Sequence, residues 1–158
     1  MNSFLQLVNN PFKFRLYLFF RLPAAYFSGI KIYACTSESC VTSVPMKWLT
    51  QNPFRSTYFA SLAMAAEMST GVLALSNIYK RDPAVSMLIT AMEAQYFKKA
   101  KGITYFTCEE GISISDAVNK AAAIAEGTVL TVTSTGRNSG GELVARFTFT
   151  WSFKAKKV

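Results

Sequence analysis

The stretch TYFASLAMAAEMSTGVLAL, residues 57–75, decides the fold of this chain. Its only charged residue is Glu67, and apolar side chains occupy every side of a helix drawn through it. At about 1.5 Å per residue, such a helix is about 28 Å long and would cross a whole domain of this size. A helix that is apolar on all sides must be covered on all sides. The sequence therefore predicts a central helix around which the rest of the chain is wrapped.

Segments with strand-like patterns are available to wrap this helix. The C-terminal segment is the clearest, because apolar and polar side chains alternate along residues 143–154. Further strands are predicted at residues 30–37, 40–47, 84–98, 102–109 and 128–135. A short alanine-rich helix is predicted at residues 115–125, with Gly127 as its stop. The expected class is α+β, with a curved antiparallel sheet of about five strands around the long helix.

Residues 1–27 are predicted to form an N-terminal helical segment, and residues 28–158 the main domain. Asn10 is a suitable N-cap and Pro11 a suitable first residue for a helix, which Pro23 is expected to end. Apolar residues recur along it at helical spacing: Phe12, Leu16, Phe19 and Phe20. The helix either packs on the domain or lies on a lipid surface, where aromatic and basic residues are favourable.

Composition and charge narrow the function. The chain has 158 residues, 51% of them hydrophobic, which excludes an intrinsically disordered protein. A net charge of +8 favours anionic partners such as phosphates, nucleic acid or anionic lipid, unless it only keeps the surface soluble. The absence of histidine excludes Ser-His-Asp and Cys-His catalysis as well as histidine-ligated metals. We expect no metal site.

The expected location is the cytoplasm. The three cysteines form no C-x-x-C pair and are typical of free thiols in a reducing compartment. The N-terminus lacks the pattern of a signal peptide. A carboxylate and several hydroxyl groups in residues 56–79 favour a buried helix over a transmembrane segment.

Three motifs resemble hotdog-fold thioesterases. Residues 52–60, NPFRSTYFA, lie where acyl-CoA thioesterases of the phenylacetyl-CoA thioesterase type carry N-x-x-G-x-x-H-G-G. Residues 66–71, AEMSTG, resemble the A-E-x-x-x-G helix motif of a hotdog branch described mainly as a domain of unknown function, DUF4442-like. Residues 95–102, QYFKKAKG, resemble a hotdog strand that ends in a basic residue, Pro-Ala and Gly. The resemblance covers roughly residues 28–155 and implies a hotdog fold.

The resemblance also implies catalytic roles. The family's catalytic Asp or Glu lies nine residues after its His, and Glu67 lies nine residues after Tyr58. Glu67 would then act as general base or nucleophile, with a pKa raised by burial. Amides around Tyr58, Phe59 and Ala60 would stabilise an oxyanion, and Asn52 would orient the carbonyl or the water. Alternatively, Glu67 is structural and hydrogen-bonds Asn52, a Ser or Thr, or a partner subunit.

A third group of residues would contact the substrate. Basic side chains are candidates for the coenzyme A phosphates, and two hydroxyls lie within one turn of Glu67. These candidates are Arg55, Lys98, Lys99, Lys101, Arg137, Ser69 and Thr70. Coenzyme A enters only as part of the substrate, no cofactor is expected, and the assembly would be a homodimer or a dimer of dimers.

The chain departs from the thioesterase pattern at the helix start. Arg55 replaces a Gly, Tyr58 replaces the His, and Phe59-Ala60 replace the Gly pair that lets a thioester approach backbone amides. The leading hypothesis is an acyl-CoA thioesterase, and the first alternative is a non-catalytic acyl-CoA or fatty-acyl binding protein. A basic protein that binds nucleic acid or a membrane surface is the second, although no recognised nucleic-acid motif is present.

Overall fold

The sheet and the helices follow the predicted order. The computed structural model describes residues 3–124 and 127–156. The helices in that part of the chain are α1 (Ser3–Val8), α2 (Pro11–Arg21), α3 (Pro23–Ser28), α4 (Phe59–Ile78) and α5 (Gly111–Ala123). The strands are β1 (Lys31–Cys35), β2 (Cys40–Pro45), β3 (Val85–Tyr96), β4 (Ile103–Cys108), β5 (Thr128–Asn138) and β6 (Leu143–Ala155). A 3-10 turn, Trp48–Thr50, follows β2.

One antiparallel sheet contains all six described strands, in the order β1-β2-β4-β5-β6-β3. The α+β class and the wrapped helix are confirmed, and the expected count of about five strands is one too low. All six segments predicted as strands pair in this sheet, so the error lies in the count and not in the placement of the strands. Strand β3 lies at one edge and pairs only with β6 among the described strands.

The core lies between α4 and the concave face of the sheet. The alternation predicted for β6 is confirmed, since Phe147, Phe149, Trp151 and Phe153 are all buried. The small residues Ala65 and Ala66 of α4 are also fully buried, which lets the helix approach the sheet closely. By length and composition α4 could cross a membrane, yet 61% of its most apolar window is buried inside the fold. It is the core helix of the domain.

Both predicted ends of the N-terminal helix are confirmed. Asn10 caps α2, with its side-chain oxygen accepting from the Lys13 amide at 3.0 Å. The predicted end of this helix at Pro23 is also confirmed, since α2 ends at Arg21 and the chain bends at Leu22. Pro23 is then the first residue of α3, a helix that the sequence pattern did not predict separately. Proline is favoured at that position because its missing N–H has no helical partner there.

Helix α5 begins four residues earlier than predicted, at Gly111 instead of residue 115. The Gly111 amide donates to the carbonyl of Glu38 in the turn between β1 and β2, at 2.8 Å. A Cβ at this position would lie 2.2 Å from the Ser37 carbonyl oxygen, so only glycine fits the contact. The predicted helix end at residue 125 lies outside the described residues.

Candidate functional site

Glu67 is a half-buried carboxylate in an apolar groove at the middle of α4. The groove has a volume of about 120 Å³ and is walled by α2, the α2–α3 bend, α4 and β3. Its other lining residues are Phe14, Tyr17, Leu22, Met68, Gly71, Val72, Leu75 and Met87. Burial raises the pKa of Glu67 to about 7, because an apolar surrounding disfavours the charged form. Near neutral pH this carboxylate can therefore both accept and return a proton.

Gly71 provides the space for this carboxylate. Residues four apart lie on the same face of a helix, so Gly71 is one turn beyond Glu67. A Cβ at Gly71 would lie 2.6 Å from Oε1 of Glu67 and 3.6 Å from the ring of Trp151. The Glu67 carboxylate thus lies over Gly71 and occupies the space that a side chain at this position would fill. This contact gives the E-x-x-x-G spacing of residues 67–71 a physical role.

The hydroxyls next to Glu67 do not reach its carboxylate. Ser69 Oγ donates to the Ala66 carbonyl and lies 2.8 Å from Ser134 Oγ of β5. Thr70 Oγ1 donates to the Glu67 carbonyl and accepts from the indole N–H of Trp151 at 3.1 Å. Both are fully buried and fasten α4 to the sheet. Within the described residues, no side chain hydrogen-bonds the Glu67 carboxylate.

A second and larger groove, of about 710 Å³, lies beside the start of α4. It is lined by the loop that carries Asn52 and by the end of β3 with the segment after it. Asn52 Oδ1 accepts from the amides of Phe54 and Ser56 at 3.0 and 3.2 Å. It also accepts from the Ser56 hydroxyl at 3.1 Å. Asn52 therefore shapes this loop, and it does not line the groove that holds Glu67.

Arg55 occupies the position where the thioesterase pattern has glycine. Its backbone has a φ of 58°, in the left-handed region that glycine adopts most easily. The family glycine at this position is thus explained by the turn of the loop. The Arg55 side chain is exposed and does not line the larger groove.

Two of the three predicted oxyanion amides are available. The Tyr58 amide donates to the Thr50 carbonyl at 2.7 Å and is therefore occupied. The amides of Phe59 and Ala60 donate to no other group among the described residues, as is usual in the first turn of a helix. Both lie at the positive end of the helix dipole.

Some of the basic residues predicted to contact phosphate line the larger groove, and others do not. Lys98 and Lys99 line the larger groove, and Lys98 also pairs with Glu142. Lys101 and Arg137 do not line it, and the Arg137 guanidinium donates to the Gly141 carbonyl in the β5–β6 turn. Sequence reasoning missed Tyr96 and Phe97, whose half-exposed rings form a wall of this groove. Exposed aromatic residues beside two lysines are the signal that could have indicated them.

The carboxylate and the free amides are far apart within one chain. Phe59 and Glu67 are separated by eight residues of α4, or about 12 Å along the helix. A carbonyl that reacts with one group and is stabilised by the other must lie about 3 Å from both. One chain alone therefore does not bring these two groups together.

Comparisons with known proteins agree on the family and the fold. A family model described as "Domain of unknown function (DUF4442)" matches residues 14–153. No curated protein is significantly similar in sequence.

Three solved structures illustrate the shared fold. A Pseudomonas aeruginosa protein of unknown function, described as a probable thioesterase, matches with a TM-score of 0.78 at 16% identity, over 92% of this chain and 97% of that one. A Chlorobaculum tepidum protein of unknown function matches with a TM-score of 0.76 at 12% identity, over 92% and 97%. A thioesterase from Haemophilus influenzae matches with a TM-score of 0.65 at 12% identity, over 92% and 91%. At these identities the likeness establishes the fold alone.

Proposed function

Since the chain belongs to the DUF4442 family and has the hotdog fold, we propose that it is a cytoplasmic thioesterase that hydrolyses acyl-CoA with Glu67 as its catalytic carboxylate. The observation that carries this proposal is the Glu67 carboxylate, which lies in an apolar groove without a hydrogen-bond partner among residues 3–124 and 127–156. Carboxylates are almost never fully buried unless they are paired, so a half-buried one in an apolar groove is unusual. Two proteins of the same fold are described as thioesterases, which supports the reaction class.

Two forms of the reaction suit this carboxylate. As a general base, Glu67 takes a proton from water, and the resulting hydroxide attacks the thioester carbonyl carbon. The C–S bond then breaks, and the departing thiolate receives the proton from Glu67. As a nucleophile, the carboxylate attacks the carbonyl itself, thiolate leaves, and water hydrolyses the acyl anhydride to restore Glu67. Both forms need the ionised carboxylate.

We infer that a second copy of the chain completes the site. The amides of Phe59 and Ala60 would stabilise the oxyanion next to Glu67 of the other protomer, because the two groups lie about 12 Å apart in one chain. Lys98 and Lys99, in the larger groove, would bind the coenzyme A phosphates.

The edge strand β3 has an apolar face that a second copy would cover. Met92 and Tyr96 pair with Phe149 and Ala145 of β6 and share their core-side face, yet Met92 is 51% exposed. We expect Met92→Lys to shift the protein from dimer to monomer, because a buried ammonium is costly. Sedimentation velocity measures this shift, with Val129→Lys at an exposed position of β5 as control. A wild-type monomer, or a Met92→Lys dimer, would contradict the shared site.

The direct test is hydrolysis of an acyl-CoA panel with short, long and aromatic acyl groups. Free coenzyme A is detected by mass, and the same samples are examined for retained acyl-CoA. Turnover of any member supports the proposal. Retention without turnover would instead establish the alternative, a non-catalytic acyl-CoA binding protein. Phe59 and Ala60 replace the Gly pair of the thioesterase pattern, and the rings of Tyr58 and Phe59 contact each other at the helix start, which favours that alternative.

Gly71→Ala is expected to separate activity from stability. The added methyl group displaces the Glu67 carboxylate, which is the flexible end of a side chain, so the fold tolerates it. Alanine also favours a helix over glycine by up to about 1 kcal/mol. We therefore expect an unchanged or higher melting temperature together with turnover reduced by up to about 10²-fold, the loss that a displacement of about 1 Å can cause. Gly140→Ala, in the exposed β5–β6 turn, is the control and changes neither quantity. Full activity in Gly71→Ala would show that the position of the carboxylate is unimportant.

A further inference from the structure

The N-terminal helices present an apolar surface to solvent. Helix α2 buries Phe14 and Leu18 against the domain, and other large side chains of α2 and α3 remain outside. We call the set Phe12, Leu16, Phe19, Phe20 and Phe27 the aromatic face. Phe12 is 79% exposed and Phe20 is 70% exposed. The rings of Phe19, Phe20 and Phe27 form one cluster, with Phe19 and Phe20 5.2 Å apart. Contiguous exposed apolar surface of this kind marks an interaction site.

The N-terminal segment that carries this face has charges of one sign only. Residues 3–37 contain no Asp or Glu, and the first acidic residue of the chain is Glu38. The same segment carries four basic residues, Lys13, Arg15, Arg21 and Lys31, which equal half of the net charge of +8. A surface that combines exposed aromatic rings with unopposed cations is suited to an anionic and partly apolar partner.

A groove next to the aromatic face also combines apolar side chains with cations. It lies between α2 and β1, has a volume of about 910 Å³, and is lined by apolar side chains with three cations. Its apolar lining includes Phe12, Phe14, Ile32 and Tyr33, and its cations are Arg15, Lys31 and Lys47. The Arg15 guanidinium lies 4.0 Å from the centre of the Tyr26 ring, which holds it in place. The groove can therefore take the phosphate and upper acyl chain of one lipid.

We propose that α2 and α3 dock the protein on an anionic phospholipid bilayer. The aromatic face enters the boundary between head groups and acyl chains, while the four cations contact lipid phosphates. A second copy of the chain is a poor occupant, because a twofold contact would place these cations against the same cations of the other copy, with no acid between them. The edge strand expected to join two copies, β3, is a different part of the surface.

Vesicle flotation of the full chain tests this proposal. We expect the wild type to float with phosphatidylcholine vesicles that contain phosphatidylserine, and to bind pure phosphatidylcholine at least about tenfold more weakly, since each basic residue contributes to anionic-lipid binding. The double variant Phe12→Ser/Phe20→Ser and the double variant Lys13→Glu/Arg21→Glu should each weaken binding at least tenfold. All four residues are exposed, so melting temperatures should not change.

Two control variants match these changes elsewhere on the surface. Val129→Ser removes an exposed apolar residue of β5, and Lys154→Glu reverses an exposed charge of β6, and neither should change flotation. Absence of binding to the anionic vesicles would overturn the proposal. Binding of either double variant at the level of the wild type would also overturn it. A change of oligomeric state in Phe12→Ser/Phe20→Ser would overturn it as well, because the aromatic face would then be an interface between copies of the chain. Hydrolysis of soluble short-chain thioesters is measured separately, so failure of docking and failure of the proposed enzyme activity are distinguishable.

Discussion

Glu67→Gln is expected to lower thioester turnover by about 10²–10⁴-fold, the range that a general base or nucleophile contributes. The amide keeps the shape of the side chain in its groove but can neither take a proton from water nor attack a carbonyl. In the wild type, turnover should rise with pH and reach half of its plateau near pH 7, because burial raises the pKa of Glu67 to about 7. Steady-state hydrolysis of acyl-CoA between pH 5 and pH 9 measures both effects.

The same substitution should stabilise the fold at alkaline pH. In the unfolded chain a Glu ionises near its ordinary pKa of 4.5, whereas the folded chain holds the proton until about pH 7. The stability associated with this group is therefore fully present below pH 4.5 and is lost as pH rises through 7. We expect Glu67→Gln to exceed the wild type by about 3 kcal/mol in free energy of unfolding at pH 8, and the difference to shrink in acid.

Urea titrations at the two pH values measure this difference. The matched control is Asp116→Asn, which neutralises an exposed carboxylate on α5 and should change neither turnover nor stability. Wild-type turnover in Glu67→Gln would remove Glu67 from the mechanism. A loss of turnover without the gain in stability at pH 8 would mean that the carboxylate has a stabilising partner, as the structural interpretation of Glu67 requires.

Phe147→Ala should destabilise the fold by about 3–5 kcal/mol, the usual cost of deleting a buried ring. Phe147 is fully buried on β6, with ring centres of Phe106 and Phe149 at 5.7 and 6.0 Å and that of Tyr96 at 5.7 Å. No neighbour can fill the cavity without moving a strand. Equilibrium urea unfolding measures the change, with Phe54→Ala as control because Phe54 is 71% exposed. Similar losses in the two variants would show that the interior is loosely packed.

The sequence predicts those helices and strands whose pattern of apolar and polar residues is complete within a single segment. The alternation of β6 and the apolar length of α4 each reflect a periodicity along a single element, so both were identified without any tertiary information. The N-cap at Asn10 is equally local. The start of α5 was misplaced because it depends on contact between Gly111 and the distant turn at Glu38. Glycine at that position indicates close packing only when its neighbour is known.

The candidate site shows the same division. Glu67 was identified because a lone carboxylate interrupts an apolar helix, which is visible in the sequence. The residues that line its groove could not be identified in this way, because Phe14, Tyr17 and Met87 come from segments that are far apart in the chain. The sequence also cannot show that the Tyr58 amide is occupied by the Thr50 carbonyl, or that Ser69 is fastened to Ser134. Both facts depend on tertiary hydrogen bonds.

The residues that line the groove around Glu67 come from two regions of the molecule. The carboxylate and Gly71 belong to the core helix, whose packing under the sheet leaves little freedom to vary. Phe14 and Tyr17 belong to α2 and Leu22 to the α2–α3 bend, all outside the sheet, where a larger or smaller side chain changes the shape of the cleft. Selection on substrate size could thus act on the N-terminal helices while the chemistry stays constant. Chimaeras that exchange only the first thirty residues between relatives should carry acyl preference with them.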